Sequence, residues 1–194
     1  MIDHLDHVIV CVSDLMDAAG NYMAKYGLQS VEGGRHRGHG TANRIVPLGD
    51  WYLELIAVVD PVEAAASELG TWVTDRAGRP GADALCLRPD DFERRVEDLG
   101  LEPVTMDRTT PEGHILEWRL AGLGLAVAHG LPFFIHWDMP PGLHPGRIEV
   151  PGQAVWNATV VVYSDDGRLQ SWVSQADHRV QSAAGPPQVS LKLH

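Results

Sequence analysis

An internal repeat constrains this chain more than any other feature, because a self-similar unit must recur as a self-similar piece of structure. Three segments align without a gap: Asp6-His7-Val8-Ile9-Val10-Cys11-Val12-Ser13-Asp14, Asp83-Ala84-Leu85-Cys86-Leu87-Arg88-Pro89-Asp90-Asp91 and Asn157-Ala158-Thr159-Val160-Val161-Val162-Tyr163-Ser164-Asp165. Each begins with a polar residue, continues as an apolar strand-like run and ends in helix-capping residues, which is how a strand feeds directly into a helix. Leu15, Ala18, Ala19, Tyr22, Met23 and Tyr26 give the first helix one apolar face, closed by Gly27. Phe92, Val96 and Leu99 do so for the second, with Asp90 and Glu93 as a capping pair and Gly100 as the stop. The third carries Leu169, Trp172, Val173 and Ala176.

Both of the first two helices are followed by three strand-like runs and no further helix. After Gly27 these lie near 29–32, at 41–48 and, beyond a Gly49-Asp50 hairpin turn, at 51–58. After Gly100 they lie near 101–107, at 115–121 and at 131–138. The expected class is therefore α+β: paired βαβββ modules forming a curved mixed sheet around a central cleft, plus a partial third module. The divisions expected are a first module over 1–59, a linker helix and loop over 60–82, a second module over 83–138, and a Pro/Gly linker with a partial β-α-β module over 139–194. Asp60-Pro61-Val62-Glu63 starts the linker helix, with a cap, a proline at the first helical position and a glutamate in the first turn.

Composition narrows the function. A formal charge of −11 opposes sequence-independent nucleic-acid binding, which needs clustered Lys and Arg. No apolar run is long enough to span a bilayer, and the first residues carry no signal-peptide pattern, so the expected compartment is the cytoplasm. Cys11 and Cys86, each inside an apolar run, read as reduced buried thiols.

Alternation decides which side chains face the cleft. His7, Ile9 and Cys11 share one face of the first strand, and Glu54 interrupts the apolar run Trp51-Tyr52-Leu53-Glu54-Leu55-Ile56 on the face of Tyr52 and Ile56. Laying Phe133-Phe134-Ile135-His136-Trp137 over that run puts His136 opposite Glu54 in the repeat, while Ala84 stands where His7 does. A lone buried carboxylate sacrifices several kcal/mol of hydration, so Glu54 requires a partner. Two arrangements meet that requirement: His7, Glu54 and His136 around a divalent transition metal (Zn, Fe, Mn, Co or Ni), or a metal-free cluster in which protonated histidine pairs with Glu54. Asn43 interrupts an apolar run and His36 lies in a Gly-rich loop that could close over a substrate; both are candidate substrate contacts, His36 with exposure to solvent as its alternative. His39, in the same loop, reads as exposed. Trp118 reads as core or as a stacking surface for a ligand. His114, His129 and His144, beside turns, read as surface residues.

The run Leu5-Asp6-His7-Val8-Ile9-Val10, the segment Gly33-Gly34-Arg35-His36-Arg37-Gly38-His39-Gly40-Thr41-Ala42-Asn43, then Tyr52-Leu53-Glu54-Leu55-Ile56 and Leu131-Pro132-Phe133-Phe134-Ile135-His136-Trp137-Asp138 together resemble the glyoxalase-like branch of the vicinal oxygen chelate superfamily, which also holds bleomycin-resistance proteins and extradiol dioxygenases. The resemblance implies paired βαβββ modules, a divalent metal held by His or Glu from the first and fourth strands of each module, and substrates that chelate through vicinal oxygens. It also implies a departure: Glu is usual where His136 stands, and Ala84 removes one ligand position.

The function expected is a metal-dependent enzyme of lyase, isomerase or oxygenase type acting on a small oxygen-chelating molecule, with Glu54 as proton shuttle. Its alternatives are a non-catalytic protein that binds a metabolite or antibiotic in the same cleft, and a structural dimer with a vestigial cluster. Exposed strand edges in the unfinished third module imply a homodimer.

Overall fold

The computed structural model describes residues 2–110, 113, 115–153 and 156–194; His114 lies outside them. The first repeat unit comprises β1 (Asp3–Cys11), α1 (Leu15–Tyr26), β2 (Val31–His36), β3 (Thr41–Pro47) and β4 (Tyr52–Val58). The second comprises β5 (Ala84–Pro89), α4 (Phe92–Leu99), β6 (Pro103–Thr109), β7 (Ile115–Ala121) and β8 (Phe133–Trp137). Their strands close a mixed barrel in the order β1-β4-β3-β2-β6-β7-β8-β5. The halves are joined antiparallel through β1 and β5 on one side, and through the pair Arg35 and Thr109 of β2 and β6 on the other.

Helix ends follow the local chemistry. Asp14 accepts from the N–H groups of Met16 and Asp17 at the start of α1, and Gly27 ends it in the left-handed region at φ 67°. The cap of α4 is Asp91, which accepts from Arg94 N–H; the capping role expected of Asp90 fails because that carboxylate is taken by Ile2 N–H and the His4 ring at the start of β1. The single linker helix is two, α2 (Pro61–Ala65) and α3 (Glu68–Arg76), because Ser67 opens a second helix by accepting from Gly70 N–H.

Two local expectations are corrected, and the partial third module lies apart from the barrel. Gly33 to His36 belong to β2 rather than to a loop: Glu32 pairs with Arg44 and His36 with Thr41, around an irregularity at Gly33. A further helix, α5 (Leu123–His129), precedes β8, bounded by Gly122 and Gly130, both in the left-handed region. The third repeat opening joins no barrel strand: β9 (Ala158–Tyr163), β10 (Val180–Ala183) and β11 (Gln188–Leu193) make a separate sheet in the order β10-β9-β11, with one helical turn, α6 (Leu169–Trp172), between its first two strands.

Side-chain alternation divides the buried apolar residues into two clusters. Leu5, Val8, Val10, Leu53, Leu55, Leu85, Leu87 and Phe134 face outward against the helices and the small sheet, whereas Ile9, Cys11, Ile56, Ala84, Cys86, Trp118, Leu120, Phe133 and Ile135 fill the barrel. Core packing outside thus holds the walls, and the inward set shapes the space they enclose. No helix among the described residues is long and apolar enough to cross a membrane.

Candidate functional site

The barrel encloses a cavity of about 50 Å³ whose polar lining is His7 of β1, His36 of β2, Asn43 of β3, Glu54 of β4 and Arg108 of β6. The rest of its wall is apolar and aromatic, including Tyr52, Trp118, Phe133, Ile135 and Trp137. Leu69, Met106, Leu120 and Leu123 also line an outer groove of about 1170 Å³ between α2–α3 and α5, which His39 borders.

His7 is fixed on every side. Its ring stacks on Tyr52 with centroids 4.7 Å apart, and meets the Phe133 ring edge-on at 5.5 Å. Nδ1 lies 2.7 Å from Asp6 Oδ1, which leaves Nε2 turned to Glu54 Oε2 at 3.5 Å. Neighbouring residues of a regular strand point to opposite faces; Asp6 reaches its neighbour because the pairing with β5 shifts between Leu5 and His7, and such a bulge re-aims a side chain. The other Asp6 oxygen accepts from Arg88 (2.9 Å), Trp137 Nε1 (3.1 Å) and His144 Nε2 (2.9 Å). Burial alone would push this carboxyl up, but the hydrogen bonds with His144 and His7 outweigh it and hold Asp6 well below the usual carboxylate range. Asp6 is thus an ionised, fully occupied acceptor that orients His7, the arrangement typical of the outer partner of a ligating or catalytic histidine.

Glu54 is the one carboxylate among the described residues lining the cavity, and it is 7% exposed. Asn43 Nδ2 donates to its Oε1 at 2.6 Å, and His36 Nε2 stands 3.7 Å from the same oxygen. His36 is buried; burial lowers its pKa, only partly countered by the Glu54 charge, so the ring is held neutral. The Asn43 Oδ1 atom is buried without a partner. Gly33 makes room for this group: a Cβ there would lie 2.0 Å from Asn43 Oδ1 and 3.1 Å from the Arg108 guanidinium, which donates to the Gly33 carbonyl. Burial, together with the charges of Asp6 and Glu54, pushes the Tyr52 phenol well up, so it stays protonated.

Of the residues singled out in the sequence, His7, His36, Asn43, Glu54 and Trp118 all line the cavity. His136 does not. Its side chain is 43% exposed on the outer face, beside Asp138 (3.5 Å) and the Phe92 ring. The reason is register: Ile9 pairs with Glu54 and its repeat equivalent Cys86 pairs with Phe133, so Phe133 is the counterpart of Glu54. His136 is an odd number of positions further on and points to the opposite face. Trp118 is both core and cavity wall, 5.4 Å from the Trp137 ring. His129 is on the surface as expected, and His39, half-buried, bonds to Ser67. His144, expected there too, is 4% exposed and buttresses Asp6; the polar pair Asp6-His7 inside an apolar strand was the available sequence signal that such a partner existed.

Among the described residues, two donor sets could hold a cation. Asp6, His7 and Cys86 present atoms within 4.8 Å of one another. In that set Asp6 has spent its oxygens on hydrogen bonds, and burial raises the Cys86 thiol far above the range in which it ionises. The second set is His7 Nε2, the Glu54 carboxylate and His36 Nε2. Separations of 3.5 and 3.7 Å are too long for good hydrogen bonds. One ion with ligand bonds of about 2.0–2.2 Å needs its donors about 3.3–3.6 Å apart, so the His7–Glu54 separation suits it and His36, which is not grouped with them within 4.8 Å, would have to move closer. Two imidazoles and a carboxylate with open positions also suit a divalent transition metal, so these residues fit one.

The profile of a glyoxalase-like domain matches residues 5–176. No curated protein matches the chain. Among solved structures, a hypothetical protein from Staphylococcus aureus superposes with a TM-score of 0.73 at 18% identity, covering 98% of this chain and 91% of that one. Methylmalonyl-CoA epimerase from Mycobacterium tuberculosis gives 0.50 at 23% identity, over 72% of this chain and 89% of its own. A Streptomyces coelicolor methylmalonyl-CoA epimerase variant in complex with 2-nitronate-propionyl-CoA gives 0.51 at 15% identity, over 72% and 100%. With the barrel, the paired βαβββ units and the domain match over most of its length, the chain belongs to the glyoxalase-like domain family.

Proposed function

We propose that the protein is a metal-dependent enzyme that moves a proton on a small molecule bound through adjacent oxygens, with His7 and Glu54 at the reacting centre. The observation that carries this reading is the pair itself. A buried imidazole nitrogen and a buried carboxylate face each other at 3.5 Å in an apolar cavity, unbonded, with the other imidazole nitrogen pinned by Asp6. A divalent metal bound here would supply Lewis acidity toward a substrate oxygen. Glu54 is suited to carry the proton, since no other described lining residue is a carboxylate. Asn43 holds one of its oxygens, leaving the other toward His7. Arg108 brings positive charge to the same wall, where it would favour a substrate oxygen that gains negative charge.

The dimensions bear on the substrate. About 50 Å³ holds only a compact oxygenated head, and the rest of a larger molecule would lie in the outer groove beyond Leu69, Met106, Leu120 and Leu123. The 2-nitronate-propionyl-CoA of the Streptomyces coelicolor epimerase is a ligand of that general form, a small head on a long body. A panel of 2-oxoaldehyde–thiol adducts, epimerisable acyl thioesters and catechols, followed by NMR in deuterated water with metal-loaded protein, tests the reading. Wild-type protein should exchange a substrate proton and Glu54→Gln should not. Tight binding with no exchange and no turnover would instead favour a non-catalytic binder, a reading that the apolar inner faces of β5, β7 and β8 support. The site would be a cytoplasmic one, and a second copy would join at the β10 edge of the small sheet; a monomer mass in light scattering refutes that homodimer.

A further inference from the structure

We propose that His36 is the third metal donor, so that the metal centre is built wholly from the first half of the barrel; this rests on the reading above that His7 and Glu54 hold a metal. The family pattern draws ligands from the first and fourth strands of both halves, and here the second half offers Ala84 and Phe133, with His136 on the outer face. What the second half lacks, β2 supplies.

His36 has the properties of a ligand rather than of a filler. Its Nδ1 lies 3.0 Å from Thr41 Oγ1, just as His7 Nδ1 lies 2.7 Å from Asp6, and each contact leaves Nε2 turned inward. The two Nε2 atoms address the two oxygens of Glu54 separately, at 3.7 and 3.5 Å, so the carboxylate stands between them. The polar contacts of Nε2 are both long, Asn43 Nδ2 at 3.5 Å and Glu54 Oε1 at 3.7 Å.

The backbone on either side of His36 is closely held. Gly33 lets β2 approach β3 closely enough for Asn43 to reach Glu54. At the turn after His36, Gly40 adopts φ 65°, and a Cβ on it would lie 2.3 Å from the Ala64 backbone nitrogen, so the turn is clamped on α2. His39 N–H donates to the His36 carbonyl across that turn. Coordination of one ion by all three side chains needs His36 to swing toward Glu54 within the cavity, while its strand stays in place.

Titration of the purified apo protein with Co²⁺ tests this, read by visible absorption and by competition with a chromophoric chelator. Wild-type protein should bind about one equivalent with a ligand-field spectrum, and His36→Gln should lose more than the about 10–100-fold in affinity that loss of an outer partner costs. Thr41→Val should fall inside that range, and His136→Gln should match wild type in affinity and spectrum. Should His36→Gln fail to fold, imidazole ¹⁵N spectra of wild-type protein with Zn²⁺ give the same answer, with the Nε2 signals of His7 and His36 both displaced. Metal binding by wild type with an unchanged His36→Gln affinity and spectrum, or an unmoved His36 signal, overturns this inference alone. Failure of wild type to bind metal overturns the reading it rests on.

Discussion

The two halves of the barrel share a fold and differ in what they point at its centre. β1 to β4 bring His7, His36, Asn43 and Glu54 to the cavity, whereas β5 to β8 bring Arg108 as their one charged side chain and otherwise turn Ala84, Cys86, Trp118, Leu120, Phe133 and Ile135 inward. The outward faces show no such split, since Val8 and Leu53 of one half do the same packing as Leu85 and Phe134 of the other. The fold is thus specified by the outer core and the helix caps, and the inner face is free to carry most of its polar groups in one half and few in the other. The candidate metal donors in this chain thus lie in one repeat, and the other adds the Arg108 guanidinium to the same cavity.

Asp6→Ala should produce the largest change, because it leaves Arg88, Trp137, His144 and His7 without their shared acceptor. A loss of about 3–5 kcal/mol in urea unfolding is expected. Its repeat counterpart Asp83 accepts from Cys11 N–H, and Asp83→Ala should cost only about 1–2 kcal/mol. Equal losses would erase the distinction between the halves. Next, Ala84→His restores a histidine to the second half. Ala84 is 3% exposed within the packed barrel, so the larger ring should destabilise by about 1–3 kcal/mol without raising metal affinity. Increased Co²⁺ affinity would show the second half to be poised for ligation. His136→Ala, on the outer face, should change stability by less than about 0.5 kcal/mol.

The smallest effect is on pH dependence. The His36 pKa is lowered on folding, so below 6.5 the unfolded chain takes up the proton and the folded one resists it. Stability therefore rises with pH through the window beneath 6.5 and falls as pH drops into it. Between about pH 7.5 and about pH 5.5, His36→Gln should lose less stability than wild type. An identical loss would mean that His36 takes up its proton normally.

Much of this was legible in the residues. Capping residues and glycine stops fixed α1, and the alternation of β1 and β4 put His7 and Glu54 on the inner face, because each strand carries a polar residue that marks the phase. In β8 the residues Phe133, Phe134 and Ile135 are apolar on both faces, inner and outer core alike, so nothing local marks which way His136 turns. α5 is a short apolar run between two glycines and reads as easily as a connection. The burial of His144 depends on Asp6, 138 positions away, through a Pro/Gly segment whose composition suggests the surface. Long-range partners of this kind leave no periodic trace.

The central claim is that one repeat holds the entire metal-binding set. Crystals of the protein soaked with Zn²⁺ or Co²⁺, with data collected on either side of the metal absorption edge, address it directly. The account predicts one anomalous peak bonded to His7 Nε2, Glu54 and His36 Nε2, with Asp6 still on His7 Nδ1. A peak among Asp6, His7 and Cys86, a peak beside His136 and Asp138 alone, or no peak in the cavity would contradict it.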